Sequence, residues 1–247
     1  MTDRQNRCLR RVGPVAALSA LLWMAGLTPA SATLIDAIHA LKPGDKYRVM
    51  FVTSDAYVAT GVSISTYNAD VQNEAFNGSA TKNLGLSWTA FVSTASISAN
   101  ENTSVNPGGT DTVFFFNTRG DVIAISDYGL LNGDLLQPIS YDKNGKYIGT
   151  EVWTGSNSDG TIATGEYMGS SLVIYGLSSY INSAWSDMAI ALSTQPYSLY
   201  GMSSIATIPI SATRSVSPST ISIPEPATVL LIGAGLVGFG WRYRKRT

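Results

Sequence analysis

Two residue types with strong chemistry occur only once in this 247-residue chain, as Cys8 and His39. One thiol and one imidazole cannot build a structural Cys/His zinc site, a Cys–His nucleophile pair or an internal disulfide. A Ser-His-Asp triad would have to use His39, and the sequence has no Gly-x-Ser-x-Gly turn. The surrounding Ile35-Asp-Ala-Ile-His-Ala40 segment instead predicts a short N-terminal helix. We therefore expect no cofactor and no bound metal.

Carboxylates are the remaining candidates for catalysis. Six of them lie in one loop-rich stretch: Asp127, Asp134, Asp142, Glu151, Asp159 and Glu166. Two carboxylates at a suitable separation can hydrolyse a glycoside, but a sequence does not give that separation. Solvated surface carboxylates are the simpler explanation in an acidic domain. The prediction is a protein without enzymatic activity, with a secreted glycan hydrolase as an alternative.

Two turns in the same stretch resemble calcium loops. Asp142-Lys-Asn-Gly145 and Asn157-Ser-Asp-Gly160 each place oxygen ligands at alternate positions before a glycine. Neither completes an EF-hand, because the twelfth position counted from Asp142 is Trp153 and not a bidentate Glu. Turns closed by Asx side chains are the favoured interpretation.

Four side chains are the candidates for ligand binding: Trp153, Asn157, Asp159 and Trp185. An indole ring offers a flat face and a polar edge on which a sugar can stack. Tryptophan is also highly buried on average. The sequence favours burial of Trp153 and Trp185 in the core and leaves sugar stacking open.

Basic residues are concentrated at the two ends of the chain. Eight of the sixteen Lys and Arg residues lie before residue 12 or after residue 241. The chain between residues 33 and 223 keeps eight basic and fifteen acidic residues. Nucleic-acid binding needs Lys and Arg to neutralise phosphates. An acidic middle therefore argues against a nucleic-acid partner.

Residues 1–32 have the pattern of a secretory signal peptide. Four arginines precede an apolar run from Val12 to Leu27, and Ala30 and Ala32 form a small-residue cleavage motif. Cleavage before Thr33 would leave a mature chain without cysteine, whose stability must come from packing. A retained membrane anchor is the alternative, although the apolar run is shorter than the ~20 residues of a spanning helix.

The C-terminus combines three features in a fixed order. Pro224, Glu225 and Pro226 precede an apolar run over residues 227–241. A basic cluster follows at once: Arg242, Arg244, Lys245 and Arg246. The run predicts a short transmembrane helix whose end the basic cluster holds at the cytoplasmic face. About fifteen residues rise only ~22 Å as a helix, short of a ~30 Å hydrocarbon core, so the anchor is marginal.

This C-terminal segment, residues 224–247, resembles the PEP-CTERM sorting signal of Gram-negative bacteria. The resemblance implies Sec export, retention in the inner membrane, and processing by an exosortase, a membrane cysteine protease. Products of that processing are expected at the cell surface or in an exopolysaccharide matrix. Recognition would rest on Pro224, Glu225 and Pro226. An ordinary C-terminal anchor after a chance Pro-Glu-Pro is the alternative.

Between the two ends we expect one globular domain, residues 33–209, and a stalk, residues 210–223, rich in Ser, Thr and Pro. Residues 64–76 have helical periodicity, with Ser63 as the N-cap. The other predicted elements are strands at 46–53, 88–93 and 197–202, a hairpin over 113–125, and a loop-rich region over 128–165. Few helices and separate short strands are typical of an α+β fold.

The order of these segments and the run Trp153-Thr-Gly…Asp159-Gly-Thr161 are distinctive. They resemble a bacterial domain family of unknown function with a C-type-lectin-like fold, over most of residues 47–203. The resemblance implies that the Trp153 segment is a central strand leading into a loop, and that the Leu199-Tyr200 strand pairs near the first strand. The sugar-binding Glu-Pro-Asn and Trp-Asn-Asp signatures are absent, so the resemblance predicts a fold and not an activity.

Together these features predict an exported cell-surface or extracellular-matrix protein that an exosortase sorts. Its domain is expected to have a structural, adhesive or ligand-binding role in exopolysaccharide or biofilm. A carbohydrate-binding module is the first alternative. The expected partners are the exosortase, the Sec machinery, the inner membrane for a time, and polysaccharide.

Overall fold

Strand β1 (Lys46–Val52) is an interior strand of one large sheet. The sheet organises residues 33–210, the part of the chain that this computed structural model describes. The apolar and β-branched sequence of β1 favours an extended, buried strand. The other strands are β2 (Trp88–Ala90), β3 (Val113–Asn117), β4 (Val122–Ala124), β5 (Glu151–Trp153), β6 (Leu172–Leu177), β7 (Ala189–Leu192), β8 (Ser198–Ser203) and β9 (Ala206–Thr207). The helices are α1 (Leu34–His39), α2 (Ile64–Asn77), α3 (Ala99–Thr103) and α4 (Asp127–Leu131), with a 3₁₀ turn at Ser183–Trp185.

The sheet is mixed and has the strand order β4-β3-β1-β8-β5-β6-β7. Strand β1 pairs in parallel with β3 and antiparallel with β8, and β5 pairs in parallel with β8. Two short strands lie off this path, β2 on β8 and β9 on β1. Strand β8, which contains Leu199 and Tyr200, thus lies beside β1, and β5, which contains Trp153, lies between β8 and β6.

Alternation along β1 separates two hydrophobic cores, because successive side chains of a strand point to opposite faces. Val49 and Phe51 belong to the core on the α2 face, and Met50 and Val52 belong to the core on the other face. Gly201 in β8 lies directly against the Phe51 ring, where a Cβ atom would overlap the ring. The sheet is therefore covered by apolar side chains on both faces.

Several expectations from the sequence are confirmed. The fold is α+β, β3 and β4 form the antiparallel hairpin, and His39 is the last residue of α1. Helix α2 ends one residue later than predicted, and Ser63 occupies its N-cap without a capping hydrogen bond from its side chain. Strand β2 is shorter than predicted because the chain leaves β8 after Phe91, and Ser93 N–H then donates to Thr154 C=O at 2.7 Å.

Within residues 33–210, no helix has the length and apolar character needed to cross a bilayer. The predicted transmembrane helix at 227–241 lies outside the described residues, as do the signal peptide and the stalk beyond residue 210.

Candidate functional site

A cavity of about 620 Å³, here called the polar groove, lies where four separate chain segments meet. The segments are residues 33–35, residues 79–84, the β3–β4 turn at 118–119, and the turn at 144–145. Its lining consists of Thr33, Leu34, Ile35, Ser79, Ala80, Asn83, Leu84, Thr118, Arg119, Asn144 and Gly145. Hydroxyl, amide and guanidinium groups alternate there with aliphatic surface.

The start of α1 builds one wall of the polar groove. Thr33 and Asp36 form a capping box: Asp36 N–H donates to Thr33 Oγ1 at 3.3 Å, and Thr33 N–H donates to Asp36 Oδ2 at 3.0 Å. The Thr33 hydroxyl also donates to Asp36 Oδ2, and these hydrogen bonds lower the pKa of Asp36. The cap holds Thr33 at the rim of the groove, and Thr33 is the residue that follows the predicted signal-peptide cleavage site.

The β3–β4 turn packs directly beneath this rim. Gly120 has φ +98° and its Cα faces the backbone of Thr33, so that a Cβ there would lie 2.9 Å from Thr33 O. Only glycine combines this φ with so close an approach. Arg119 then extends along the groove, where its Nη1 donates to the Tyr141 hydroxyl at 3.2 Å and its guanidinium lies 5.7 Å from the centre of the Tyr141 ring.

Another wall is formed by the Asp142–Lys146 turn, which contains the Asp142–Gly145 segment that the sequence singled out as a calcium-like loop. Asp142 Oδ1 accepts from the N–H groups of Asn144 at 2.8 Å and Lys146 at 2.9 Å, as in an Asx-closed turn. Asn144 Oδ1 in turn accepts from Ser79 N–H at 2.9 Å and from the Ser79 hydroxyl at 3.1 Å. The Asp142 carboxylate and the Asn144 amide oxygen therefore form hydrogen bonds within the wall of the groove.

A buried ion pair supports this wall from below. The Glu74 side chain is 3% exposed and pairs with the ammonium of Lys143. Glu74 also accepts from the N–H of Asp55 at 3.1 Å, and the Ser54 hydroxyl donates to Asp142 Oδ2 at 3.2 Å. Nearby, burial first and then the Glu74 charge raise the pKa of Tyr57. The network ties α2 to the turn that carries Asn144.

The polar groove contains the groups that commonly bind neutral or acidic sugars. Side-chain amides and a guanidinium offer donors and acceptors in fixed planes, and aliphatic side chains cover the apolar patches of a sugar ring. Its lining as described contains no Asp, Glu, His or Cys. The arrangement is suited to binding a polar ligand.

The structure places the two candidate tryptophans in the cores. Trp153 is 0% exposed, lies 4.5 Å from the Tyr197 ring centre, and donates from Nε1 to Tyr57 C=O at 2.9 Å. Trp185 is also 0% exposed and packs on Phe91 at 5.1 Å and on Tyr200 at 5.4 Å. Their ring faces contact protein, so stacking of a sugar on either ring would require the core to open.

Asn157 and Asp159 lie in a surface turn outside the polar groove. Asp159 Oδ1 accepts from the N–H and hydroxyl of Thr161 at 3.0 and 2.6 Å, and Asn157 Nδ2 donates to the same hydroxyl at 2.9 Å. Their side chains thus close their own turn. Among residues 33–210, no group of three or more His, Cys, Asp or Glu side chains is placed to hold a metal ion.

The sequence singled out neither Arg119 nor Asn83, and it singled out Asn144 only as part of the calcium-like turn. The four segments are up to about a hundred residues apart in the chain, and tertiary packing alone brings them together. The polar Asn117-Thr-Arg-Gly turn was a visible signal, because loops carried by a rigid sheet often hold binding residues.

In the comparison with protein families, residues 222–245 match the PEP-CTERM protein-sorting motif. A comparison of the chain with curated proteins gave no match. The matched segment contains the sorting residues predicted from sequence, Pro224, Glu225 and Pro226, and the basic residues Arg242, Arg244 and Lys245. The motif marks this chain as an exported protein whose membrane-anchored C-terminal signal is processed by an exosortase. All of these residues lie outside the part of the chain that the structure describes.

Proposed function

We propose that the processed chain is a non-enzymatic protein of the cell surface or extracellular matrix that binds exopolysaccharide through the polar groove. The sorting motif supports the destination, since exosortase substrates are expected at the surface or in the polysaccharide matrix. The observation that carries the binding role is the composition of the groove, with amides, hydroxyls and one guanidinium around aliphatic patches. An exopolysaccharide matrix would present many sugar units that could bind to these groups.

The architecture favours a C-type-lectin-like domain. Strand β8, near the end of the domain, pairs with β1, near its start, and loops cover most of residues 132–171. In such an arrangement the rigid sheet fixes the ends of long loops, and the loops are free to carry binding residues. The groove lies among loops and helix ends around the β1–β3–β4 side of this sheet.

Binding to exopolysaccharide from the native host is the direct test. The full chain, purified in detergent, would be titrated with that polysaccharide, and saturable binding is expected. Asn83 lines the groove, is exposed, and makes no side-chain hydrogen bond within the described residues. Asn83→Ala should therefore leave the fold unchanged and weaken binding about fivefold or more, as expected for loss of a good hydrogen bond.

Asn73→Ala is the matched control, because Asn73 is an exposed asparagine of α2 that does not line the groove. It should bind like the wild type. Equal binding by wild type and Asn83→Ala would contradict the groove as the site, and release of reducing ends from the polysaccharide by the wild type would contradict the non-enzymatic role.

A further inference from the structure

A second cavity, of about 300 Å³, has a buried arginine in its lining. Here called the Arg48 cavity, it shares no lining residue with the polar groove. Arg48 lies in β1 and is 2% exposed. The walls include Ser87, Thr89, Asn102, Ser104 and Ser204. The volume equals that of about ten water molecules at ~30 Å³ each, which is room for one sugar-sized group.

Arg48 is buried, and no carboxylate among the described residues forms an ion pair with its guanidinium. Its Nη1 donates to the carbonyls of Thr103 at 2.7 Å and Ser203 at 3.1 Å, and its Nη2 donates to the carbonyl of Ser104 at 3.0 Å. Buried cations are usually paired with an acid, because an isolated charge is costly to remove from water. Burial accordingly lowers the pKa of Arg48. The negative charge of Asp127 acts in the other direction and raises it.

The hydrogen-bonding capacity of Arg48 is not exhausted. A guanidinium has five N–H groups. Its Nε has no partner among the described residues, and Nη2 donates only one of its two hydrogens. Nε and Nη2 form one edge of the guanidinium plane, which matches the two oxygens of a carboxylate in a bidentate contact. Nε is buried from solvent, so an anion binds at this edge only when the surrounding wall moves aside to admit it.

The walls supply neutral donors for the rest of a ligand. The hydroxyls of Ser87, Thr89, Ser104 and Ser204 have no hydrogen-bond partner among the described residues. Ser104 is held at φ 54°, a left-handed conformation that non-glycine residues seldom adopt, and this places its carbonyl on Arg48. The lining contains no acidic side chain. The cavity therefore combines one buried cation with several free hydroxyls.

We propose that the Arg48 cavity binds the carboxylate group of an acidic sugar, such as a uronic acid residue. The buried guanidinium contacts the carboxylate, and the surrounding hydroxyls contact the hydroxyl groups of the ring. The site is separate from the polar groove and does not depend on the proposed function of that groove.

The test is a titration of the full chain, labelled with ¹⁵N-arginine and purified in detergent, with sodium glucuronate at constant ionic strength. The Nε–H signal of Arg48 is identified by its absence in Arg48→Lys. We expect a saturable shift of this signal with glucuronate and none with glucose. Acetate should bind at least about tenfold more weakly than glucuronate, because it lacks the ring hydroxyls that meet the walls.

Two variants keep Arg48 and test the site even if Arg48→Lys fails to fold, because calorimetric titration with glucuronate measures their binding without assignment of the Arg48 signal. Thr89→Val removes a wall hydroxyl and should weaken glucuronate binding several-fold. Asp127→Asn removes a negative charge that acts on Arg48 and keeps an oxygen that can accept from Asn106 N–H. Because that charge repels a bound carboxylate, the variant should bind glucuronate more strongly than the wild type. The groove variant Asn83→Ala should bind glucuronate like the wild type.

The absence of a saturable shift with glucuronate would overturn the proposal, and so would equal responses to glucuronate and glucose. Equal affinity for acetate and glucuronate would overturn the sugar as ligand, since it would show recognition of a carboxylate alone. Loss of glucuronate binding in Asn83→Ala would also overturn it, by moving the site to the polar groove.

Discussion

Asp187 and Asp159 are two carboxylates close enough to affect each other. Burial is the main cause that raises the pKa of Asp187, and the Asp159 charge adds to it, while a hydrogen bond from Ser158 N–H opposes it. A raised carboxyl pKa means that the folded state holds the proton to higher pH than the unfolded chain. Stability from this group is therefore present below the ordinary value near 3.8 and is lost as the pH rises through the folded pKa.

Asp187→Asn should stabilise the protein at neutral pH, because it removes that penalty and keeps an oxygen for Ser158. The gain should be less than about 1 kcal/mol, since Asp187 is partly exposed and solvent screens its charge. Urea unfolding at pH 7 and at pH 3 measures it, and the two proteins should differ less at pH 3. An equal difference at both pH values would contradict this assignment.

Individual side chains also show which features could be predicted from the sequence and which could not. Burial of Trp153 and Trp185 was the favoured prediction, and the structure confirms it, since both side chains are 0% exposed and tryptophan is highly buried on average. The polar groove gave little signal, because Asn83 and Arg119 are ordinary surface residues until the fold brings their segments together. Chemistry that depends on one residue type can be predicted from sequence, but chemistry that depends on the meeting of distant segments cannot.

The link between α2 and the Asp142–Lys146 turn depends on the buried pair Glu74–Lys143. Lys143→Met leaves a buried carboxylate without its cation and should destabilise the protein by about 2–4 kcal/mol. The double variant Glu74→Gln/Lys143→Met should be more stable than Lys143→Met alone, because no charge is then left unpaired. Urea denaturation of all four proteins in a double-mutant cycle measures the coupling.

A coupling energy close to zero in that cycle would contradict the role of the pair. A supporting readout is the groove itself: Lys143→Met should weaken polysaccharide binding, because Asn144 loses the anchored turn that positions it. A surface substitution of the same kind, Lys82→Met, serves as control, since Lys82 is exposed and forms no described ion pair.

Elements with a clear periodicity were predicted, and short or exposed ones were missed. Helix α2 and the β3–β4 hairpin have strong local patterns and were found within one or two residues. Strand β7 is a mostly exposed edge strand without alternation and gave no such pattern. Helix α3 has only five residues and was not predicted, although its Ser98–Glu101 capping box is a helix-start signal in the sequence.

The chain as a whole is an exported domain followed by a sorting signal. The C-terminal segment matches a known protein-sorting motif, over residues 222–245. Its recognition from sequence succeeded because the Pro-Glu-Pro motif, the apolar run and the basic cluster are contiguous. The domain's ligand did not follow from sequence, because a fold supports many binding functions.

Glu225→Ala should block C-terminal processing, because the motif loses the one charged side chain of Pro-Glu-Pro. The unprocessed chain should accumulate in the membrane fraction of the native host, as detected by immunoblotting. Glu151→Ala is the control, since Glu151 is an exposed glutamate of the domain and should be processed normally. Normal processing of Glu225→Ala would count against exosortase recognition of this motif.

The most direct test of the account is the intact mass of the protein recovered from its native host, with both termini sequenced. We expect an N-terminus at Thr33 and a C-terminus near Pro224, which correspond to signal-peptide cleavage and removal of the sorting signal. A chain that retains residues 227–247 would instead be a membrane-anchored protein, and this result would contradict the proposed place in the extracellular matrix.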